Sequence, residues 1–184
     1  MRVCILGKNL TSLTLAKALV NKDIDVDLFF SNTKNNINHT RTLGISKSNV
    51  EFVNEHIVNI ENILWKLNKI EIFTDQLKQE KLLNFEDNKD QLFSIIKNHQ
   101  FCSLLERKLI KKKNFKEKSY NNKDLSLAQK YELIINCDIK NNITKKFFSK
   151  NLQKKYNSFA YTTILNHEKI VNDTATQIFT KQGP

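Results

Sequence analysis

The residues of this chain best placed to do chemistry form one short stretch, Gly7-Lys8-Asn9-Leu10-Thr11-Ser12. It follows the apolar run Val3-Cys4-Ile5-Leu6 and leads into Leu10, Leu13, Leu15, Ala16, Ala18, Leu19 and Val20, which crowd like a buried helix. A turn between a strand and a helix aims backbone N–H groups and the positive end of the helix dipole at an anion such as a pyrophosphate. With Ile24, Val26, Leu28, Phe29 and Phe30 as a second strand, the unit reads strand, turn, helix, parallel strand, the opening of a dinucleotide-binding fold. An ordinary structural βαβ unit reads the same way from these residues.

The glycine pattern of such turns, G-x-G-x-x-G, uses its second glycine for phosphate approach and its third for close packing of helix on strand. Those two positions carry Asn9 and Ser12. Asn9 tolerates unusual backbone angles, but its side chain is expected to obstruct the phosphate; Ser12 is small enough to pack. An acid that would hold a ribose is expected at the end of the second strand, where Phe30 stands. Asp25 and Asp27 lie earlier and read as solvated strand positions.

Two further residues have the right type and place. Arg41 is one of three arginines, and from a loop facing the turn it would grip a pyrophosphate bidentately; a surface ion pair is the equal alternative. Asp138 closes the apolar run Tyr131-Glu132-Leu133-Ile134-Ile135-Asn136-Cys137, and the carboxyl ends of such strands are where open α/β sheets meet ligands. It reads equally as a turn cap. His39, His56, His99 and His167 have no metal-binding spacing, and no carboxylate pair or nucleophile motif stands out, so no catalytic residue is named.

The remaining elements would position these groups. A polar loop, Ser31 to Arg41, leaves the second strand, and Ser48 with Glu51 has capping-box spacing ahead of Val50, Phe52, Val53 and Ile57. Ile70-Glu71-Ile72-Phe73 and Lys81-Leu82-Leu83-Asn84-Phe85 read as two strands of a hairpin or meander, with Leu92 to Ile96 as a third, a β insertion over about 70–96. Asn98 caps a helix carrying Phe101, Leu104, Leu105 and Leu109, closed by Lys111-Lys112-Lys113. Phe115 and Tyr120 mark a short strand, 140–150 a short helix. Phe159 to Leu165 and Ala175 to Phe179 are expected to pair as an antiparallel ribbon.

At 184 residues and 40% hydrophobic content, the chain can fill one core. Its formal charge of +11 rests almost wholly on lysine, amid abundant Asn and Ile and with 3 Gly and 1 Pro, a bias that fits an AT-rich coding sequence. No basic helix face with interleaved aromatics accompanies the charge, so no nucleic-acid partner is expected. Cys4, Cys102 and Cys137 are widely separated in apolar segments and read as buried thiols of a reducing cytoplasm. No signal peptide and no run long enough to span a membrane is present.

In order and spacing these segments resemble the flavin-dependent aromatic-ring hydroxylases of ubiquinone biosynthesis, the UbiH-like monooxygenases. The likeness runs through Val3 to Leu19, Arg41-Thr42-Leu43-Gly44-Ile45-Ser46 and its helix, Leu92 to Leu109, Leu133 to Asp138, and Thr176-Gln177-Ile178-Phe179 with Gly183-Pro184. It implies an α/β chain: a Rossmann-like FAD-binding domain of the glutathione-reductase type over 1–150, with the β insertion, then the beginning of an antiparallel substrate-side sheet over 151–184. It also implies FAD as cofactor, NAD(P)H as reductant, and O2 and a polyprenyl phenol as substrates. A ubiquinone-biosynthesis protein complex and peripheral contact with the inner membrane are the implied partners of an otherwise cytoplasmic protein.

Carried over by position, Gly7, Lys8, Asn9, Leu10 and Ser12 would meet the pyrophosphate, and Phe30 holds the place of the ribose acid. Arg41 would contact the phosphate and ribose region, and Asp138 would serve FAD and the reductant. The family's Asp-Gly pair is Asp138-Ile139 here, its basic residue a turn later is Lys145, and its second flavin motif lies beyond this sequence. The resemblance therefore covers about the first half of such an enzyme, and this chain is expected to bind FAD weakly or not at all. The alternative is a degenerate, non-catalytic Rossmann-like domain serving as an interaction module.

Overall fold

A computed structural model describes residues 1–30, 39–75, 80–86, 91–119, 130–139, 141–147, 154–165, 168, 171–181 and 183. β1 (Arg2–Leu6) lies at the middle of the fold, and Val3 to Leu6 are fully buried, as an unbroken apolar run requires. It pairs in parallel with β2 (Asp25–Phe30), which pairs in parallel with β8 (Phe115–Ser119); on its other side it pairs in parallel with β9 (Leu133–Asn136). The order β8-β2-β1-β9 is the expected parallel sheet, and the short strand expected at Phe115 is its edge. Tyr120 lies outside the described residues.

One face of this sheet, carrying Val3, Ile5, Val26 and Leu28, is covered by α1 (Leu10–Val20) and α3 (Asn98–Leu109). α1 buries Ser12, Leu13, Ala16, Lys17 and Val20, and α3 buries Phe101, Cys102, Leu105 and Leu109, one stripe each. Asn21, the C-cap of α1, donates to the carbonyls of His56 and Ile57, and Asn114 donates to those of Val20 and Ile24. Two side chains thus pin the lower end of α1 to its neighbours.

The opposite face is smaller: Cys4, Leu6 and Phe29 against Tyr131, Ile134 and Ile143. Its centre corrects the reading of Asp27 as a solvated position. Asp27 is 2% exposed and accepts from Lys118 Nζ and from the Tyr131 hydroxyl, both at 2.6 Å, with Arg2 Nε 4.0 Å away. A strand alternates faces, so Asp27 follows Cys4 and Phe29 inward, and it stays charged there because donors converge on it. Burial alone would raise its carboxyl pKa, but the bonds from Lys118 and Tyr131 outweigh that and hold it below the usual carboxylate range. The adjacent Cys4 thiol is pushed up to about 12 by burial and by the Asp27 charge, which makes it inert.

Between β2 and α3 the chain supplies five strands of two further sheets. β3 (Thr42–Ser46) and β4 (Leu64–Leu67) flank β7 (Phe93–Lys97), all antiparallel. A Cβ on Gly44 would stand 2.0 Å from Cζ of Phe93, so the glycine makes room for that ring. α2 (Lys47–His56) follows β3 directly. Its N-cap is Ser46, whose Oγ accepts from Asn49 N, and not the expected Ser48, because the helix begins as soon as the strand ends. α3 likewise starts one residue early: Asn98 is its first helical residue, Lys97 its N-cap without a side-chain bond.

The expected hairpin forms from β5 (Lys69–Thr74) and β6 (Lys81–Glu86), with an irregularity between Ile72 and Phe73. Two expectations fail around it. β7 leaves the hairpin and pairs with β3 and β4, since its buried alternate residues Ser94 and Ile96 belong to that sheet. No strand forms at Phe159 to Leu165, where Phe159 is 86% and Tyr161 94% exposed. β10 (Thr174–Phe179) instead lies parallel to β5, Thr174 opposite Lys69 and Phe179 opposite Thr74. Asp173 O accepts from the backbone of Asn68 and Lys69, and Trp65 Nε1 donates to Asn172 O, so contacts at its start fix this register. The hairpin and the strand after residue 151 therefore share one sheet, β10-β5-β6.

Candidate dinucleotide site

The carboxyl ends of β1 and β9 meet at Gly7. Its φ of +98° reverses the chain at the end of β1, and its N–H donates to Phe29 O at 2.8 Å, closing the β1–β2 ladder. A Cβ there would lie 3.0 Å from Asp138 Cβ and 3.2 Å from the backbone N of Asp138 and C of Cys137. Two candidates 131 positions apart, Gly7 and Asp138, are thus in contact, and glycine is required by both conformation and space.

Asp138 is set by a polar network after β9. Asn136 Oδ1 accepts from Asp138 N and from Asn141 Nδ2, while Asn136 Nδ2 reaches Thr144 Oγ1 at 2.6 Å. Thr144 Oγ1 donates to Asp138 O, and Thr144 N donates to the fully buried Asn141, which caps α4 (Asn142–Phe147). This is the short helix expected at 140–150, and residue periodicity carries no sign of the network around its start.

Asn9 and Ser12 do something other than stand in for glycines. Asn9 is the N-cap of α1 with φ −145°, an extended conformation open to any residue. Its Oδ1 accepts from Ser12 N at 3.1 Å, its N–H donates to Ser12 Oγ at 2.9 Å, and its Nδ2 donates to Cys137 O at 2.8 Å. The pair is a reciprocal capping box, and the Asn9 amide is turned toward β9. Ser12 is fully buried. The N–H groups of Leu10 and Thr11 precede the first intrahelical bond, Leu13 N to Asn9 O, and are the donors a helix start offers to an anion.

Lys8 points the other way, to β2 and β8. Its Nζ is 3.1 Å from Glu117 Oε2 and 3.3 Å from Glu106 Oε1, and 5.2 Å from the centre of the Phe30 ring. Burial alone would lower its pKa, but the two carboxylates outweigh that and raise it, so Lys8 is an ammonium throughout the ordinary pH range. The other Glu117 oxygen, Oε1, is buried with no hydrogen-bond partner among the described residues. Neither glutamate was legible as part of this site; the structure brings both to it through α3 and β8. Phe30 packs partly buried against the main core and offers no acceptor for a ribose.

Arg41 stands apart. It is exposed, its carbonyl accepts from Asn98 N at 3.0 Å, and among the described residues no bond joins its side chain to the Gly7–Ser12 turn. Nearby, the rings of His39 and His99 lie 4.6 Å apart, a pairing their sequence separation hid; among the described residues no three potential ligands gather for a metal. His167 lies outside the described residues.

No protein-family model and no curated protein matches this sequence. Solved structures do. PqsL, a probable FAD-dependent monooxygenase from Pseudomonas aeruginosa, superposes with a TM-score of 0.61 at 11% identity, over 85% of this chain and 48% of that one. The fold of this chain is shared with that part of PqsL. The same protein solved with 2-aminobenzoylacetate gives 0.61 at 12% identity. The p-nitrophenol 4-monooxygenase PnpA from Pseudomonas putida DLL-E4 gives 0.53 at 10%, over 64% of this chain and 31% of that one. The chain thus spans about half the length of the first of these structures or less. Among the described residues no helix is long and apolar enough to cross a membrane.

Proposed function

We propose that this chain is the nucleotide-binding half of an FAD-dependent monooxygenase that hydroxylates an aromatic substrate. The observation that carries the reading is the extent of the likeness: it covers 85% of the chain, far more than the βαβ unit common to all dinucleotide folds. The finer reading follows the sequence resemblance: a glutathione-reductase-type Rossmann domain, NAD(P)H as reductant, and a polyprenyl phenol of ubiquinone biosynthesis hydroxylated with O2. Work within a complex, at a cytoplasmic or inner-membrane-peripheral location, belongs to the same proposal.

The residues fit the adenosine diphosphate part of FAD at three points. Gly7 turns the chain where a phosphate must approach, the start of α1 presents the N–H groups of Leu10 and Thr11, and Asn9 carries its side chain off toward Cys137. Lys8 is the cation within the turn, with its ammonium on Glu106 and Glu117, and Asp138 lies against Gly7. The fit fails at Phe30, where a ribose hydroxyl finds no acceptor. When bound, the flavin supplies the oxygen-transfer chemistry; the chain's own share is to bind, orient and shield it.

Titrating the purified chain with FAD and following flavin fluorescence tests the reading. Saturable binding displaced by ADP is expected, weakened about ten- to a hundredfold by the missing ribose contact. Absence of saturable binding at millimolar FAD would contradict it. That result would favour the interaction-module reading, which has one observation of its own: Asn9 and Ser12 bond to each other where glycines would leave the backbone open.

A further inference from the structure

We propose that the stretch from Ile139 to Leu165 docks this chain on an anionic lipid bilayer, with its lysines at the headgroups and its exposed aromatic side chains in the interface. The inference rests on the membrane-peripheral location in the reading above, which it deepens by naming the surface; it does not require FAD to be bound.

Charge is concentrated there beyond the lysine bias of the whole chain. Over 184 residues, 30 lysines and arginines stand against 19 acidic residues, but between Asp138 and Glu168 the sequence holds six lysines, no arginine and no acid. Lys145, Lys146, Lys154 and Lys155 are exposed. Each lysine of such a run adds about fivefold to affinity for an anionic membrane surface, and salt screens the gain.

The apolar side chains among these lysines are turned to water. Phe147 and Tyr156 are 63% and 73% exposed, and Phe159, Tyr161 and Leu165 more so. Lys146 Nζ lies 5.3 Å from the centre of the Phe147 ring, and Lys154 Nζ lies 5.3 Å from that of Tyr156, so cation and ring stand side by side. Aromatic rings settle at the level of lipid headgroups, and lysine stems run along apolar surface while their ammonium groups stay among the phosphates. The stretch is tied to the body near its start: Ile143 of α4 packs against Cys4, Leu6 and Phe29, while Lys145, Lys146 and Phe147 of the same helix are exposed.

A nucleic acid fits less well. Bases stack on rings, but exposed aliphatic side chains such as Ile139 and Leu165 offer them no platform, and arginine, which grips phosphates in pairs, is missing from the stretch. α4 ends at Phe147 and 154–165 forms neither helix nor strand, so no long basic helix is there to enter a groove.

The test is co-sedimentation of the full chain with vesicles of phosphatidylcholine alone and of phosphatidylcholine with about one third phosphatidylglycerol. Binding about tenfold tighter or more to the anionic vesicles is expected, and high salt should abolish it. Lys154→Gln/Lys155→Gln and Phe159→Ser/Tyr161→Ser should each weaken it about tenfold, and since all these side chains are exposed both variants should melt with the parent chain. No preference for anionic lipid would overturn the proposal. So would an unaffected Phe159→Ser/Tyr161→Ser variant, which would mark adsorption by charge alone, or tighter binding to a uridine oligonucleotide than to the vesicles, which would mark a nucleic-acid site. Pelleting without vesicles would overturn it too, since copies of the chain would then cover this surface. A parallel FAD titration separates the readings: a chain that binds FAD but no vesicle defeats this proposal and leaves the flavin reading, while one that binds anionic vesicles but not FAD supports this proposal and defeats the flavin reading.

Discussion

The parallel sheet and the sheet β10-β5-β6 are built from strands of similar length and comparable apolar content, yet they sit at opposite limits of burial. In β1 every residue from Val3 to Leu6 is fully buried, with covered faces on both sides. In β6 every residue is exposed, Leu83 at 50% and Phe85 at 49%, and β6 and β10 are both edge strands. The first sheet therefore carries the stability of the fold and positions the turn at Gly7. The second offers apolar surface and open edges of the kind that further structure covers.

The sharpest test of that contrast is a pair of truncations. Ile5→Ala removes a fully buried side chain between α1 and α3 and should cost about 4 kcal/mol in chemical denaturation, while Leu83→Ala should cost less than about 0.5 kcal/mol. Similar losses at the two sites would mean that the outer sheet is packed in solution.

A smaller effect, about 2 kcal/mol, is expected for Asp27→Ala, since Lys118 is 40% exposed and can turn to water while Tyr131 loses its acceptor. The network also predicts a pH window. The Asp27 carboxyl is depressed, so its contribution is present above the ordinary carboxylate pKa and is lost as pH falls through the folded value. Lys118 is raised mainly by its bond to Asp27, so its contribution is present below the ordinary lysine value and is lost as pH rises through the folded one. Stability of the parent chain should fall at both extremes, and Asp27→Ala should flatten both slopes; an unchanged acid slope would count against the network.

The smallest loss, about 1 kcal/mol, is expected for Asn9→Ala, which removes the cap of α1 and the tie to Cys137. Thermal melting followed by circular dichroism checks it. An effect near zero would show that the turn is held by Gly7 and Asp138 alone.

The same contrast explains what the sequence made legible. Strands buried on both faces announce themselves as apolar runs, so β1 and β2 were readable, and β9 was readable from its apolar run although it is only half-buried. Around the outer sheet the pattern misled: Phe159 to Leu165 alternates like a strand, but among the described residues no strand pairs with it, and the parallel return of β10 depends on contacts at Asn172 and Asp173 that periodicity does not encode. At the site, Gly7 and Asp138 could be read from type and position. The capping role of Asn9 with Ser12, and the reach of Lys8 to Glu106 and Glu117, could not. A motif describes what is missing from six residues, while partners arriving from α3, β8 and β9 decide what the substituted residues do instead.

The central claim, that the Gly7–Ser12 turn binds a nucleotide, is tested most directly by recording amide NMR spectra of the chain during titration with ADP. Binding at the turn predicts saturable shifts concentrated at Gly7, Lys8, Leu10, Thr11 and Asp138, with the amides of β6 unmoved. Shifts that gather elsewhere, or none at millimolar ADP, would contradict the account.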